Sequence, residues 1–198
     1  MRDRSLKYKG FFTQTELMEA FKTSETSKTK PTKEFCGPLA NLYAKQRLGL
    51  IEGNFLQQNT DDILKMTLEE QQHQARLSQE IGAKGELFSA FHDAKLPYEA
   101  KVIDNGPSKR LLDEVASYSN HVLINFPTPP SEAPPFSSYH QIYLGRFPGT
   151  NRCAYFNGNR PGGEFIAECS KVTQQIFEDM QKEALFDGRP TLFGMAKK

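Results

Sequence analysis

Three residues of this chain carry the side chains that nucleophilic catalysis by a thiol requires, in the order Cys36, His140 and Asn157. A cysteine attacks a carbonyl as its thiolate, so it needs a base that takes its proton and a third group that orients that base. An imidazole takes up a proton near neutral pH, and an amide bonded to one ring nitrogen fixes the tautomer. The three residues therefore predict a catalytic triad, provided that the fold brings them together.

Cys36 begins a stretch with the pattern of a helix. Leu39 and Leu42 recur at helical spacing, and Pro38 falls in the first turn, where a missing N–H removes no hydrogen bond. Gly49 predicts the end of this helix. The N–H groups of a first turn have no partner within the helix and stabilise a negative charge beside them. This position favours a thiolate, although a small cysteine of the core has the same local pattern.

His140 and Asn157 fall in two strand-like stretches, residues 138–144 and 153–157, which a hairpin turn at residues 147–151 connects. Adjacent antiparallel strands would bring the imidazole and the amide together, which predicts that Asn157 orients His140. Each residue also has a structural interpretation. A histidine in an apolar strand can be a hydrogen-bonded core residue, and Asn157-Gly158 is a common turn dipeptide.

The wider pattern predicts helices first, then three or four strands, then a closing helix. Helical patterns cover residues 11–24, 36–49, 61–81, 87–96, 111–115 and 167–185, and strand patterns cover residues 98–103, 121–126, 138–144 and 153–157. Consecutive strands joined by a hairpin indicate an antiparallel sheet, and segregated helices and strands indicate an α+β fold. Residues 1–33 are interpreted as an N-terminal helix with a polar linker and residues 34–198 as the main domain. A proline-rich loop at residues 127–136 is expected to border the cleft.

Composition excludes several classes of protein. The 198 residues include 25 basic and 24 acidic side chains, for a net charge of +1, so a general nucleic-acid surface is not expected. No apolar run is long enough for a membrane span. Residues 1–9 are charged and no apolar segment follows them, so we expect no Sec-type signal peptide.

The cysteine and histidine pattern predicts neither a disulfide framework nor a metal site. Three cysteines without framework spacing make a disulfide-stapled extracellular fold unexpected and favour a reducing compartment. Cys153 and Cys169 have no CxxC partner, so no zinc site and no cofactor are predicted. We interpret His73 and His92 as surface or packing residues, and His121 as a packing residue with a smaller prospect of approaching the site.

Three short motifs resemble the YopT/AvrPphB family of bacterial effector cysteine proteases, a branch of the papain-like fold. They are His-Gln-Ile-Tyr-Leu at residues 140–144, Tyr-Phe-Asn-Gly-Asn at 155–159 and Gly-Glu-Phe at 163–165, together with Cys36 at the head of its helix. The similarity in element order extends over about residues 34–185. The resemblance implies a papain-like domain in which Cys36 is the nucleophile, His140 the base and Asn157 the orienting residue. It also implies a monomer that acts on a host protein after non-Sec secretion into the host cell cytosol.

The chain departs from the family pattern in two informative ways. Asn157 stands where the family normally has Asp, so the orienting residue brings no charge to the imidazolium. Residues 30–35 contain neither Gln nor Asn, whereas papain-like enzymes complete the oxyanion hole with a side-chain amide shortly before the cysteine. Gln14 is the candidate donor. A glutamine deamidase, a transglutaminase-like enzyme and a non-catalytic binding domain with a papain-like fold therefore remain alternatives to a protease.

Overall fold

A computed structural model describes residues 10–11, 13–23, 35–130 and 139–197 of the chain. The helices are α1 (Gln14–Thr23), α2 (Cys36–Arg47), α3 (Thr60–Ile81), α4 (Ala83–Leu87), α5 (Ser89–Asp93), α6 (Lys109–Tyr118) and α7 (Cys169–Glu183), with a short 3₁₀ turn at Phe55–Gln57. The strands are β1 (Tyr98–Ile103), β2 (His121–Pro127), β3 (Tyr139–Arg146), β4 (Arg152–Phe156), β5 (Glu164–Glu168) and β6 (Thr191–Ala196).

The strands form one six-stranded antiparallel sheet in the order β1-β6-β2-β3-β4-β5. One buried apolar cluster joins α1, α2, α3 and α5 to one face of the sheet, and a second cluster joins α6 and α7 to the other face. Side chains alternate between these clusters along β3, where Tyr143 belongs to the first and Ile142 and Leu144 to the second. The predicted α+β class is confirmed.

Several predicted elements occur where the sequence places them. Helix α3 begins at Thr60 because the side chain of Asn59 accepts a hydrogen bond from the Asp62 N–H, as an N-cap does. Helix α2 ends before Gly49, whose φ of 77° is the left-handed conformation that favours glycine. Strand β1 covers the six residues expected of it.

The predicted sheet of three or four strands is too small. Residues 164–168, part of which was expected to lead into the last helix, form β5 and pair with β4, so α7 begins at Cys169. Strand β6 was not predicted, although it lies between β1 and β2 in the middle of the sheet. A closing strand that inserts between earlier strands satisfies its backbone hydrogen bonds through long-range pairing, which a local pattern does not reveal.

Some predictions fall partly or wholly outside the described residues. The polar linker at residues 24–33, the charged residues 1–9 and most of the proline-rich loop, residues 131–136, belong to this group. The division at residue 33 stays a prediction. Leu17 and Phe21 of α1 are buried in the same apolar cluster as Phe35, just before α2.

The chain contains one disulfide, which the cysteine spacing did not predict. Cys153 in β4 and Cys169, the first residue of α7, form a disulfide across a sequence separation of 16 residues, and Cys36 is the free cysteine. The spacing gave no sign of the bridge because it joins the second residue of a strand to the first residue of a helix, and their contact depends on how the two elements pack. Among the described residues, no helix has both the length and the apolar character needed to cross a membrane.

Candidate active site

Cys36 is the first residue of α2, and the fold holds it in a buried position. Its side chain is 7% exposed, and its Sγ lies 3.6 Å from the carbonyl oxygen of Tyr139, the residue before His140. Phe35 is the N-cap residue of α2, and its side chain makes no capping hydrogen bond to the first turn. The N–H groups at a helix start favour a negative charge beside them.

A buried asparagine fixes the first turn of α2. Asn41 is fully buried, and its Nδ2 donates to the carbonyl oxygens of Gly37 and Leu87, each at 3.1 Å. Its Oδ1 accepts from the N–H of Ala90 at 3.1 Å. Buried amides are costly unless they are satisfied, so this network holds α2 in one position relative to the segment before α5 and hence places Cys36.

His140 is the second residue of β3, and its ring is buried. The ring packs edge-on against Phe126 of the neighbouring strand, with centroids 5.4 Å apart. Its Nε2 lies 2.7 Å from Oδ1 of Asn157, and Cys36 is close enough to the imidazole to raise its pKa. Because Asn157 occupies Nε2, Nδ1 is the ring nitrogen that remains for the thiol.

The surroundings of Asn157 determine which way its amide points. Nδ2 donates to the Tyr155 hydroxyl at 2.8 Å and to Oε1 of Glu183 at 2.9 Å, while Oδ1 accepts from the backbone N–H of Asn159 at 2.9 Å. Oδ1 is therefore the atom that meets His140, and it can only accept there. His140 must carry a proton on Nε2 in both charge states, so Nδ1 is the nitrogen that exchanges a proton with Cys36.

The pairing of strands brings these two residues together as the hairpin predicted. Tyr143 pairs with Phe156 across β3 and β4, so His140, three residues before Tyr143, and Asn157, directly after Phe156, lie at the same end of the sheet. The turn interpretation of Asn157 is also realised, because its Oδ1 accepts from Asn159 as in an Asx turn. One amide oxygen serves both the turn and the histidine.

Opposing effects act on the charge of His140. Burial alone disfavours the imidazolium, but the hydrogen bond and negative charge of Cys36, the charge of Glu183 and the hydrogen bond of Asn157 together raise the pKa of His140 to about 9. The imidazolium is therefore the favoured form at neutral pH.

Glu183 was missed from the sequence. It is the last residue of α7, and its carboxylate accepts from Nδ2 of Asn157 and, at 2.7 Å, from Nδ2 of Asn159. Its Oε2 lies 3.6 Å from Nε2 of His140. A signal was present, because Asp179 and Glu183 are four residues apart and share one face of the amphipathic helix. The sequence did not predict that α7 packs over that end of the sheet.

Gln14, the candidate oxyanion donor, lies beside the site. Its backbone N–H donates to the carbonyl oxygen of Gly158 at 2.7 Å, and its side-chain Nε2 donates to Oδ1 of Asn159. Its Oε1 is buried without a hydrogen-bond partner. The amide therefore packs against the turn that follows Asn157, and its role as a donor to an oxyanion stays a prediction.

The remaining histidines lie in other places. His73 bonds both carboxylate oxygens of Asp93 at 2.9 Å, and His92 is 3.6 Å from the same carboxylate. His121 pairs with Gly145 at one end of β2, whereas Phe126 pairs with His140 near the other end. At the rise of a strand, the separation of five residues places His121 about 17 Å from the site. Within the described residues, no group of three or more His, Cys, Asp or Glu side chains is arranged to hold a metal ion.

The fold has a counterpart among solved structures. The crystal structure of the Pseudomonas avirulence protein AvrPphB superposes with a TM-score of 0.52 at 14% sequence identity, covering 82% of this chain and 90% of that chain. No protein-family model and no curated protein matches the chain. The likeness establishes the fold, and it agrees with the architecture that the sequence motifs imply.

Proposed function

We propose that this chain is a papain-like cysteine hydrolase that cleaves a protein substrate. The observation that supports the proposal is one cluster: Sγ of Cys36 lies 3.6 Å from the backbone oxygen of Tyr139, next to His140, Cys36 raises the pKa of the His140 imidazole, and Nε2 of His140 is bonded to Asn157 at 2.7 Å. A nucleophile bonded to a base, with that base oriented by a third group, is the arrangement that thiol acyl transfer needs.

In the proposed mechanism each residue has one step. Nδ1 of His140 takes the proton of Cys36, and the thiolate attacks the carbonyl carbon of the substrate. His140 then gives this proton to the leaving amine, and an acyl-enzyme forms. Water, activated by the same imidazole, attacks the thioester and releases the acid and the free thiol. N–H groups at the start of α2 face the oxyanion, with Gln14 as the candidate side-chain donor.

The biological setting is also part of the proposal. We propose that the protein acts as a monomer on a host protein, after delivery into host cytosol by a non-Sec route. The family motifs at residues 140–144 and 155–159 support this setting, together with the fold shared with an avirulence protein. The Cys153–Cys169 disulfide is a bond that reducing cytosol does not normally preserve, so the redox state of this pair after delivery is a direct test of the setting.

The decisive experiment compares the wild-type protein with Cys36→Ala in a host-cell lysate. New protein N-termini are mapped by mass spectrometry, and substrates are those cut only by the wild type. Circular dichroism and thermal melting confirm that Cys36→Ala is folded. Cleavage by a folded Cys36→Ala protein would refute the proposal. A mass increase of about one dalton on substrate glutamines without new termini would identify a deamidase instead.

A second measurement needs no substrate. Iodoacetamide alkylation of Cys36 is followed against pH, with an unstructured cysteine peptide as the reference thiol. The ion pair with His140 predicts that Cys36 reacts faster than the peptide at pH 6. A rate at or below the peptide's, in a folded protein, would identify a non-catalytic binding domain.

A further inference from the structure

We infer that Glu183 is a positioning residue of the proposed active site: its carboxylate holds the amide of Asn157 and supplies the negative charge that faces the imidazolium of His140. The inference rests on the proposed function for its catalytic meaning, but the geometry that carries it is independent of any substrate. It names a residue outside the Cys36, His140 and Asn157 triad.

Both oxygens of the Glu183 carboxylate point into the site. Oε1 accepts from Nδ2 of Asn157 at 2.9 Å, and Oε2 accepts from Nδ2 of Asn159 at 2.7 Å while lying 3.6 Å from Nε2 of His140. The side chain of Glu183 is 23% exposed, whereas that of His140 is 2% exposed. A carboxylate that is mostly shielded from water and close to a buried imidazolium interacts with it more strongly than a surface ion pair does.

The carboxylate also selects the orientation of the Asn157 amide. The Tyr155 hydroxyl donates to Asp179 at 2.9 Å, so its oxygen is available to accept from Nδ2 of Asn157. Glu183 accepts the second hydrogen of that amide. With both amide hydrogens bound by acceptors, the Asn157 carbonyl oxygen is directed at His140. An amide that rotated by 180° would place its NH₂ against the protonated Nε2.

Other charged groups near His140 do not duplicate this role. From α2, Cys36 acts on the imidazole, whose Nε2 is bonded to Asn157. Asp179, four residues before Glu183 in α7, accepts from the Tyr155 hydroxyl and pairs with the Arg160 guanidinium at 3.0 Å. From β2 the ring meets Phe126, which is apolar. Among the residues that the structure describes, Glu183 is thus the carboxylate within ion-pair distance of the imidazole.

The inference explains how a neutral amide can serve as the orienting residue here. The amide brings direction without charge, and the charge comes from the end of α7. An Asp at position 157 would face the Glu183 carboxylate at about the 2.9 Å that now separates Nδ2 from Oε1, with no hydrogen between them. Two carboxylates at that distance cannot both stay ionised at neutral pH. Asn157 and Glu183 therefore function as a pair.

The test compares Glu183→Gln with a matched control, Glu178→Gln, which removes the same charge from an exposed position of the same helix. Cys36 alkylation by iodoacetamide and the imidazole NMR signals of His140 are both followed against pH. The inference predicts that His140 in Glu183→Gln loses its proton about one pH unit lower than in wild type. The alkylation rate at pH 6 falls up to tenfold, and Glu178→Gln behaves as wild type.

The outcomes separate this inference from the proposed function. An activated wild-type Cys36 together with an unchanged His140 titration in folded Glu183→Gln would overturn the role of Glu183 and leave the hydrolase intact. A wild-type Cys36 that reacts as an ordinary thiol would refute the hydrolase. The His140 titration would still test the contact, because a downward shift in Glu183→Gln is expected whether or not the thiol is reactive.

A double variant that moves the carboxylate to position 157 makes the test sharper. Asn157→Asp combined with Glu183→Gln moves the carboxylate to position 157 and leaves an amide that can donate to it. We expect this double variant to recover the pH profile that Glu183→Gln loses, and Asn157→Asp alone to melt at a lower temperature than the double variant. A folded double variant with the Glu183→Gln profile would contradict the inference that charge is what Glu183 contributes.

Discussion

The Cys153–Cys169 disulfide should be a measurable source of stability. It joins β4 to the first residue of α7, and these two elements carry Asn157 and Glu183 near their other ends. Both half-cystines are buried, with Cys153 fully buried and Cys169 9% exposed. Reduction therefore leaves two thiols in apolar surroundings and changes the native packing little. The main consequence is that the unfolded chain regains the freedom that the bridge removes.

The size of the effect follows from the loop that the bridge closes. A sequence separation of 16 residues corresponds to about 3 kcal/mol of stabilisation in the chain-entropy model. For a domain of this length, each kcal/mol shifts the melting temperature by about 2–4 °C. The reduced protein should therefore melt about 6–12 °C below the oxidised one.

The assay is differential scanning calorimetry of oxidised and reduced protein in a Cys36→Ala background, which prevents thiol exchange with the bridge. Intact mass after alkylation of the unfolded protein counts the free thiols in each sample and confirms its redox state. Equal melting temperatures for samples that differ by two thiols would refute the reasoning. A drop much larger than 12 °C would show that reduction also disturbs the packing between β4 and α7.

Three further predictions concern other groups. The value of kcat/KM should fall as the pH rises through about 9, because neutral His140 no longer carries the proton for the leaving group. Burial and, to a lesser degree, Arg47 lower the pKa of His121 to about 4. The unfolded chain therefore binds a proton at this histidine first, and the folded protein should lose up to about 1.4 kcal/mol of stability per pH unit as the pH falls from 6.5 towards 4. The variant His121→Gln should reduce this loss in urea titrations at pH 7 and 5. Asn41→Ala leaves the buried Ala90 N–H without its acceptor, which should cost at least about 1–3 kcal/mol in urea unfolding.

Each of these predictions has a result that contradicts it. A value of kcat/KM that already falls as the pH rises through 7 would mean that His140 is not held as an imidazolium. If His121→Gln loses the same stability between pH 7 and 5, another group takes up the proton. Glutamine is the chosen substitution because its amide oxygen can still accept from the Tyr143 hydroxyl, which lies 2.7 Å from Nδ1 of His121. An Asn41→Ala protein as stable as wild type would show that solvent replaces the lost contacts.

Local patterns predicted much of the fold. The Asn59 cap, the period of α3 and the alternation in β3 are encoded within a few residues, and the structure reproduces them. The class of the sheet followed from the β3–β4 hairpin. Strand β6 was missed because nothing local distinguishes a short closing strand from an irregular C-terminal segment. Its place between β1 and β2 depends on pairing with residues far away in the chain.

For the candidate site, too, local patterns predicted some residues and not others. Cys36 was identifiable because a helix start is a local feature, and the hairpin indicated that His140 and Asn157 meet. Their hydrogen bond of 2.7 Å spans 17 residues joined by one turn. The Cys153–Cys169 bridge and Glu183 were not identifiable, because both depend on where α7 packs. The position of a helix over a sheet is set by the fit of two apolar surfaces rather than by a motif.

Two helices from opposite faces of the sheet meet at the candidate site. Helix α2 carries Cys36 and α7 carries Glu183, whose Oε2 lies 3.6 Å from Nε2 of His140 in β3. Both groups favour a proton on His140, although its ring is buried and would otherwise favour the neutral form. The charge of the site is therefore a property of how the three layers pack. A search along the sequence finds the three candidate residues Cys36, His140 and Asn157, but not the carboxylate that lies 3.6 Å from the imidazole.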